Sequence, residues 1–528
     1  MRSLIDSPRP ARNVAAWIIP AVLSAILMVL SFPRPGIFIL AWVALFPLYA
    51  VITTGTLKRS ILAGLITGFL FNIVYLFWAK EYKHPASLPG VLLVEMVHFL
   101  LAVIAGYILY HHSCLGRIRV LRELALPIAW VAVDYLKTVG YLAFPWGIIG
   151  YSQYRNLAMI QSASIFGIWG ISFLVYYFNA VLAAAAVDLK KGRGAARIGP
   201  GAAVVCGLLV LSVVFGLIKL SEKPPAATKR VALIQPNFDP WSPDIEGNLE
   251  REIVLTDTAL QEKPDLIVWS ESSIPFLYDF YLSRNQRYAR FVHDYLISIR
   301  KPVLLGTTEF TGEYEDGEFF GDFYNVALFY DDRGGNDVYR KIHLVPFGEW
   351  FPYKRLFPWV VRILEEAGAG DFKAGTEYKI FTCDGLKFNA LICYEDVFGD
   401  LARKFVKEGS RLLVNITNDA WTGSPAFELQ HFSLSVFRSI ENRVSLVRCA
   451  NGGVTACVDP YGRIIGRLPV FTTDFLVCDV PVSAEGRLTF YSRFGDLFPR
   501  LVAAAAVLFL LLVPGKKAID TMRNKNNM

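Results

Sequence analysis

Three side chains of different chemistry sit where apolar runs stop. Glu271 closes DLIVWSE, Lys341 stands in YRKIHLVPFGEW, and Cys393 closes KFNALIC. A carboxylate, an amine and a thiol form a coherent set for acyl transfer. The thiol attacks a carbonyl, the carboxylate takes its proton, and the ammonium stabilises developing negative charge. Unperturbed Cys and Glu differ by about 4 pKa units, so that proton transfer costs about 6 kcal/mol. Burial must raise the carboxylate, and a nearby lysine must lower the thiol, to close the gap. Taken singly, each residue has a plainer explanation: a core-filling Cys, a helix-capping carboxylate, a surface ammonium. Spacing alone does not bring the three together.

These residues need strands to carry them. Apolar runs bounded by Gly, Pro, Asp and Asn predict strands over 230–235, 265–270, 302–308, 325–330, 387–393, 411–417, 445–449 and 454–459. Most are continuous apolar runs, which suits strands buried on both faces. Helical spacing predicts helices over 247–262 and 427–442. A layered α/β sandwich, with helices outside two sheets, fits this order.

The rest of the chain is of another kind. The 528 residues are 54% hydrophobic and only 19% charged, with mean hydropathy +0.39. Soluble domains carry about 25% charged residues. A purely soluble enzyme and a disordered chain are both excluded. Seven cysteines spread from Cys114 to Cys478 exclude a small disulfide scaffold. A spanning helix needs about 20 mostly apolar residues. Candidates lie at 14–31, 37–53, 59–79, 90–112, 123–139, 158–187 and 199–220, with one more at 497–513. Glu123, Asp134 and Lys137 leave an interfacial helix as the alternative for the fifth. No small-residue cleavage site marks the first as a signal peptide. About eight transmembrane helices are expected, divided as a membrane domain at 1–228, a soluble domain at 229–490, and a last helix with its tail at 491–528.

Loop charges orient the spans. With the N-terminus inside, the inner segments hold Arg2, Arg9, Arg12, Lys58, Arg59, Arg117, Arg119, Arg122, Lys190, Lys191, Arg193, Arg197, Lys516, Lys517, Arg523 and Lys525. The short outer loops hold Arg34, Lys80, Lys83, Lys137 and Arg155. Sixteen against five is a positive-inside bias. It accounts for the net charge of +7 without a nucleic-acid partner. The soluble domain then lies on the far side of the membrane, in a bacterium the periplasm. Ser221–Lys229 (SEKPPAATK) reads as the exit linker.

WSESSIP, RKIHLVPFGEW, CYED and NDAW followed by QHF, in this order, resemble the nitrilase superfamily of carbon–nitrogen hydrolases. With seven spans before and an eighth after, the whole chain resembles the apolipoprotein N-acyltransferases of bacterial envelopes. The resemblance implies an αββα sandwich and a triad of Glu271 (base), Lys341 (charge stabiliser) and Cys393 (nucleophile). It implies a phospholipid acyl donor, typically phosphatidylethanolamine, an acyl-thioester intermediate, and a diacylglyceryl-cysteine apolipoprotein as acceptor, at the inner membrane. It implies no cofactor. Supporting positions are Glu349, Tyr394 and Glu395, with Asn325 near the triad and Trp241 and Trp421 lining the site's entrance. Ser270 stands where the family usually has Pro, which softens the turn before Glu271.

The residues themselves suggest further roles. Glu349 is placed to hold Lys341 or orient an amine, and Glu395 to bond nearby backbone. The Tyr394 N–H is a candidate oxyanion donor, and His431 is expected to stabilise a helix start. Aromatic segments at 350–361 and 276–288 suit lids toward a lipid surface, with packing inside the domain as the alternative. The loop 141–151 is a candidate membrane floor. Neither HExxH nor CxxC occurs, so no metal site is expected. Cys449 and Cys457 could pair in an oxidising compartment, although core placement on two strands fits better. The competing functional class is a membrane-anchored amidase or nitrilase acting on a small substrate.

Overall fold

A computed structural model describes residues 14–81, 87–115, 119–140, 142–192, 199–241, 244–351, 362, 370–483 and 487–513. Twelve strands are present among them: β1 (Thr228–Gln235), β2 (Leu266–Val268), β3 (Val303–Glu315), β4 (Glu318–Tyr330), β5 (Asn336–Arg340), β6 (Phe381–Cys383), β7 (Leu386–Ile392), β8 (Leu412–Thr417), β9 (Ser445–Ala450), β10 (Ala456–Val458), β11 (Ile464–Arg467) and β12 (Asp474–Pro481). They form two six-stranded sheets, ordered β12-β1-β2-β3-β4-β5 and β11-β10-β9-β8-β7-β6. Each sheet has a parallel centre, β1-β2-β3 or β7-β8-β9, with antiparallel flanks.

Both faces of these centres are covered, which is why their sequences read as unbroken apolar runs. In the first sheet Ala232, Ile234, Ile267, Val303 and Leu305 face helices Ile245–Leu260 and Arg287–Ser298. Their neighbours Val231, Leu233, Val268 and Leu304 face the second sheet. Phe329 of β4 meets Phe381 and Phe388 of β6 and β7 at ring separations of 5.3 Å, closing the sandwich. Helix Pro425–Asn442 lies outside the second sheet and is buried along almost its whole length. The sequence reading finds eight of the twelve strands. It misses β5, β6, β11 and β12, which are short or half-exposed and so carry little apolar signal.

The apolar stretches are helical. Among the described residues, four helices are long and apolar enough to cross a membrane: Leu57–Tyr75, Ser87–His112, Ile168–Lys190 and Pro200–Ser221. The others are shorter, at Ala15–Ser31, Phe38–Thr54, Ala125–Leu136, Leu157–Phe166 and Leu497–Leu511. The expected span at 158–187 is interrupted: two short turns precede Gly167, whose φ of 63° redirects the chain into Ile168–Lys190. A side chain at Gly167 would start 2.7 Å from the Tyr491 ring, so the position also needs glycine for space.

A buried amide joins the helical and sandwich parts. Gln430 Oε1 accepts the indole N–H of Trp78 at 3.0 Å and of Trp146 at 3.1 Å, and its Nε2 donates to the Tyr75 carbonyl at 3.0 Å. Lys137 Nζ holds the Trp146 carbonyl from the other side at 2.6 Å and pairs with Glu95 at 2.6 Å, both groups being buried. Replacing Gln430 by Leu strips the acceptor from two buried donors, at about 1–3 kcal/mol each. Thermal unfolding in detergent should show a midpoint lowered by several degrees, and an unchanged midpoint would refute this account of the junction.

Candidate active site

Each reactive side chain is positioned by a turn that follows a strand. Glu271 follows β2 in a tight turn with Ser272 at φ 56°. That turn lies directly on Gly306 of β3: a side-chain carbon there would sit 2.6 Å from Glu271 Cα. The Gly306 N–H donates to the Ser270 carbonyl at 3.3 Å, and the Gly306 carbonyl receives Ile274 N–H at 3.2 Å. These backbone bonds fix the turn that Ser270 was expected to soften. The Ser270 hydroxyl itself is buried and makes no hydrogen bond.

Lys341 follows β5 and is 1% exposed. Its ammonium is 2.8 Å from Glu349 Oε1 and 3.5 Å from Glu271 Oε1. Asn325 on β4 donates through Nδ2 to both carboxylates, at 2.8 Å each. The Asn418 N–H donates to the other Glu271 oxygen at 2.9 Å, and the Val345 N–H to the other Glu349 oxygen at 2.8 Å. Burial raises the Glu271 carboxyl above its ordinary range, and the Glu349 charge adds to this; Lys341, Asn325 and Asn418 oppose it. Burial works against the Lys341 charge, but Glu349 and Glu271 override it and keep the ammonium protonated.

Cys393 follows β7 with φ 49°, a left-handed conformation that costs a non-glycine residue roughly 1–2 kcal/mol. Its neighbours hold it there. Asn415 Nδ2 donates to the Cys393 and Leu391 carbonyls, at 3.1 Å each. Glu395 Oε2 accepts the Ile392 N–H at 2.8 Å. Glu395 Oε1 accepts Tyr339 OH at 2.8 Å, Ile342 N–H at 2.7 Å and His343 N–H at 3.0 Å. One carboxylate thus ties the Cys393 turn to the turn that carries Lys341. Burial pushes Glu395 up to about 7 against the pull of these donors.

The thiol lies within electrostatic reach of Glu271 and Lys341. Burial raises its pKa well above the usual value, Glu271 raises it further, and Lys341 lowers it by less. The expected lowering of the thiol is therefore not met, because burial outweighs the lysine. The resting sulfur is a thiol.

Near Cys393 is a set of buried charges. His431 bonds Asp396 at 2.9 Å and Asp419 at 3.1 Å. Arg448 ion-pairs with Asp419 and donates to Asn415 Oδ1 at 2.8 Å. Burial disfavours the imidazolium, but Asp419 and Asp396 raise it to about 9. His431 lies well inside helix Pro425–Asn442 and bonds carboxylates outside it, so its expected role at a helix start is corrected.

Family comparisons agree along the chain. The model of the apolipoprotein N-acyltransferase N-terminal domain matches residues 24–181, and that of carbon-nitrogen hydrolase matches residues 230–488. The apolipoprotein N-acyltransferase of Geobacter metallireducens is 34% identical over 516 residues, covering 94% of this chain and 95% of that one. The chain belongs to the apolipoprotein N-acyltransferase family. Apolipoprotein N-acyltransferase 1 of Treponema denticola is 32% identical, covering 93% of this chain and 95% of its own. Its relative in Chlorobaculum tepidum is 30% identical over 94% of this chain.

Of the residues singled out in the sequence, Glu271, Lys341, Cys393, Asn325, Glu349 and Glu395 form one connected cluster. Tyr394 turns away from it: its hydroxyl donates to the Ala143 carbonyl, and its ring stacks on Trp146 at 6.3 Å. Trp421 packs on Phe427 at 5.4 Å and on Trp78 at 6.2 Å, at the junction with the helices. Trp241 is 51% exposed at the end of a loop that Asn451 ties to Asn418. Two lid candidates are corrected. Phe351 is 3% exposed, and Tyr278 is buried with its hydroxyl on that of Tyr330. Residues 352–361 of the other lid, and Tyr141 of the floor loop, lie outside the described residues. A cavity of about 330 Å³ opens among Phe276, Leu277, Thr308, Phe323 and Phe372.

The sequence analysis quotes Asn418 and Asp419 within NDAW but gives no role to them or to Asn415, Arg448 and Asn451. A further signal existed for Asn415 in LLVNIT and Arg448 in SLVRC, which are polar residues inside apolar strands.

Two predictions follow from these contacts. Because the folded imidazolium titrates near 9 and the unfolded one near 6.5, its stabilisation is complete below about 6.5 and is lost as pH rises toward 9. His431→Gln should flatten that fall, of order 3 kcal/mol, in unfolding measured across this pH range. Glu395→Gln keeps size but turns an amide against donors. It should lower kcat by more than tenfold while the protein remains folded, as read by steady-state kinetics beside circular dichroism.

Proposed function

We propose that this protein moves a fatty acyl chain from a membrane phospholipid to the α-amino group of a lipoprotein's N-terminal diacylglyceryl-cysteine. The observation that carries the reading is the clustering of a raised carboxylate, a buried ammonium and a strained thiol in a chain of this family. Glu271 takes the Cys393 proton as the sulfur attacks the ester carbonyl of the donor, typically phosphatidylethanolamine. Lys341, with the Tyr394 N–H, stabilises the oxyanion. Collapse releases a lysophospholipid, protonated by Glu271, and leaves an acyl thioester on Cys393. The acceptor amine loses its proton to Glu271 as it attacks the thioester, and Cys393 leaves as the thiol. Splitting the transfer in this way gives ping-pong kinetics.

Glu349 holds Lys341 in place, and Asn325 spaces the two carboxylates. Trp241 and Trp421 flank the approach, and Tyr394 anchors the nucleophile turn to the membrane side. The cavity beside Phe276 receives part of a lipid. The architecture proposed is a membrane domain at 1–228, a periplasmic catalytic domain at 229–490 and a final span and tail at 491–528. The eight spans cross the bacterial inner membrane, and the four long apolar helices support this. The partners are the bilayer, its phospholipid donor and diacylglyceryl apolipoproteins; no nucleic acid or cofactor takes part. Burial of a whole donor lipid favours a site at the bilayer surface, since each CH₂ exposed to water costs about 0.8 kcal/mol.

The test is intact-peptide mass spectrometry after incubation with phosphatidylethanolamine. One fatty acyl group is expected on the Cys393 peptide, labile to hydroxylamine and absent in Cys393→Ser, with lysophospholipid released. Glu271→Gln should slow acylation by roughly 10²-fold or more. A folded protein that takes no acyl group but hydrolyses small amides would establish the amidase reading instead.

A further inference from the structure

Away from the reactive cluster, two thiols meet between the sheets. Cys457 on β10 is directly opposite Gly466 on β11, and Cys478 on β12 is directly opposite Val231 on β1. The first pair belongs to one sheet and the second to the other. A side-chain carbon at Gly466 would lie 2.7 Å from the Cys478 sulfur. The sulfur therefore occupies the place that a Gly466 side chain would fill. Gly466 does not have a left-handed φ, so the backbone does not require glycine there. What it supplies is room.

Opposed residues in an antiparallel pair point their Cβ atoms to the same face, about 4.5–5.5 Å apart. The Cys457 side chain thus shares the face on which the Cys478 sulfur sits. A thiol–thiol contact is the largest influence on the ionisation of both groups, raising Cys457 and lowering Cys478. A disulfide needs Cβ atoms about 3.5–4.5 Å apart, within reach of such neighbours. Cys449 is not a competing partner. Its thiol donates to the Ile234 and Val268 carbonyls, at 3.1 Å each, and it occupies the core rather than pairing with Cys457.

We propose that Cys457 and Cys478 form an intersheet disulfide, a covalent staple between β10 and β12. Each thiol gives up one proton and one electron as the S–S bond forms. The acceptor is another disulfide, that of a dithiol oxidoreductase in cells or oxidised glutathione in solution, whose own S–S bond breaks to two thiols. Both sulfurs are buried in the finished fold, so closure accompanies the docking of β12. Since β12 leads to the final apolar helix, the staple fixes the segment returning to the membrane.

Formation in cells rests on the proposed periplasmic placement; the geometry does not. Full-length protein is made in a bacterium with an oxidising periplasm, acid-quenched, denatured and alkylated with N-ethylmaleimide. It is then reduced, alkylated with iodoacetamide, and mapped by peptide mass spectrometry. Cys457 and Cys478 should carry only the second label, and Cys393 and Cys449 the first. In Cys478→Ser, Cys457 should move to the first label; in Cys449→Ser, the pair should be unchanged. Full-length protein, reduced and then refolded in detergent from denaturant with oxidised glutathione present, separates the two ideas, because both sulfurs are accessible before β12 docks. If the pair is reduced from cells but closes with glutathione, the staple stands and the periplasmic placement falls. If both thiols still take the first label after glutathione, or if either pairs with another cysteine, the proposal is overturned.

Discussion

A buried ammonium between two carboxylates sets the terms for the site. Lys341 has almost no access to water, so its charge persists only because Glu349 and Glu271 face it. Two carboxylates against one lysine would leave the second anion uncompensated. Asn325 resolves this by giving one amide hydrogen to each. The same arrangement divides the carboxylates by task. Glu349 takes the close contact with Lys341, and Glu271 is left at the longer distance with a raised affinity for a proton. A base that must take a proton from a buried thiol needs that affinity. The ladders that pair β4 with β3 and β5 place Asn325 where it reaches both anions.

A second constraint lies at the boundary of the two parts. The Cys393 turn is held from inside by Asn415 and Glu395, and from the helical side by Tyr394 on Ala143. Trp146 completes this contact. Its ring lies nearly parallel to Phe144, Tyr394 and Phe427, its N–H is on Gln430, and its carbonyl is on Lys137. The helices therefore do more than anchor a soluble enzyme, because the residue next to the nucleophile is bonded to them.

The apolar strands of the sheet centres were legible in the sequence because burial on both faces forces uninterrupted Val, Leu and Ile. Edge strands such as β5 and β11 were not, since an exposed face admits any residue. Glu271, Lys341 and Cys393 stood out because each ends or follows such a run with a reactive group. Their convergence was not legible, because it depends on turns held by residues far away, such as Gly306 under Glu271. The thiol's ionisation was misjudged for a related reason. Sequence reveals a nearby lysine but not how completely the sulfur is removed from water. The lid reading failed at Tyr278 and Phe351 because composition does not distinguish an aromatic packed in a core from one facing lipid.

Glu395 has a mechanical consequence. Its carboxylate takes donors from Tyr339 at the outer strand of one sheet and from Ile392 at the end of a strand in the other. The sandwich therefore has a latch joining one sheet to the other. Breaking this one set of bonds frees the Cys393 turn and the lysine turn together. Loosening of the fold and loss of the reactive geometry become a single event. A partly opened molecule, with hydrophobic surface exposed to lipid, would be chemically silent rather than an indiscriminate acylating agent.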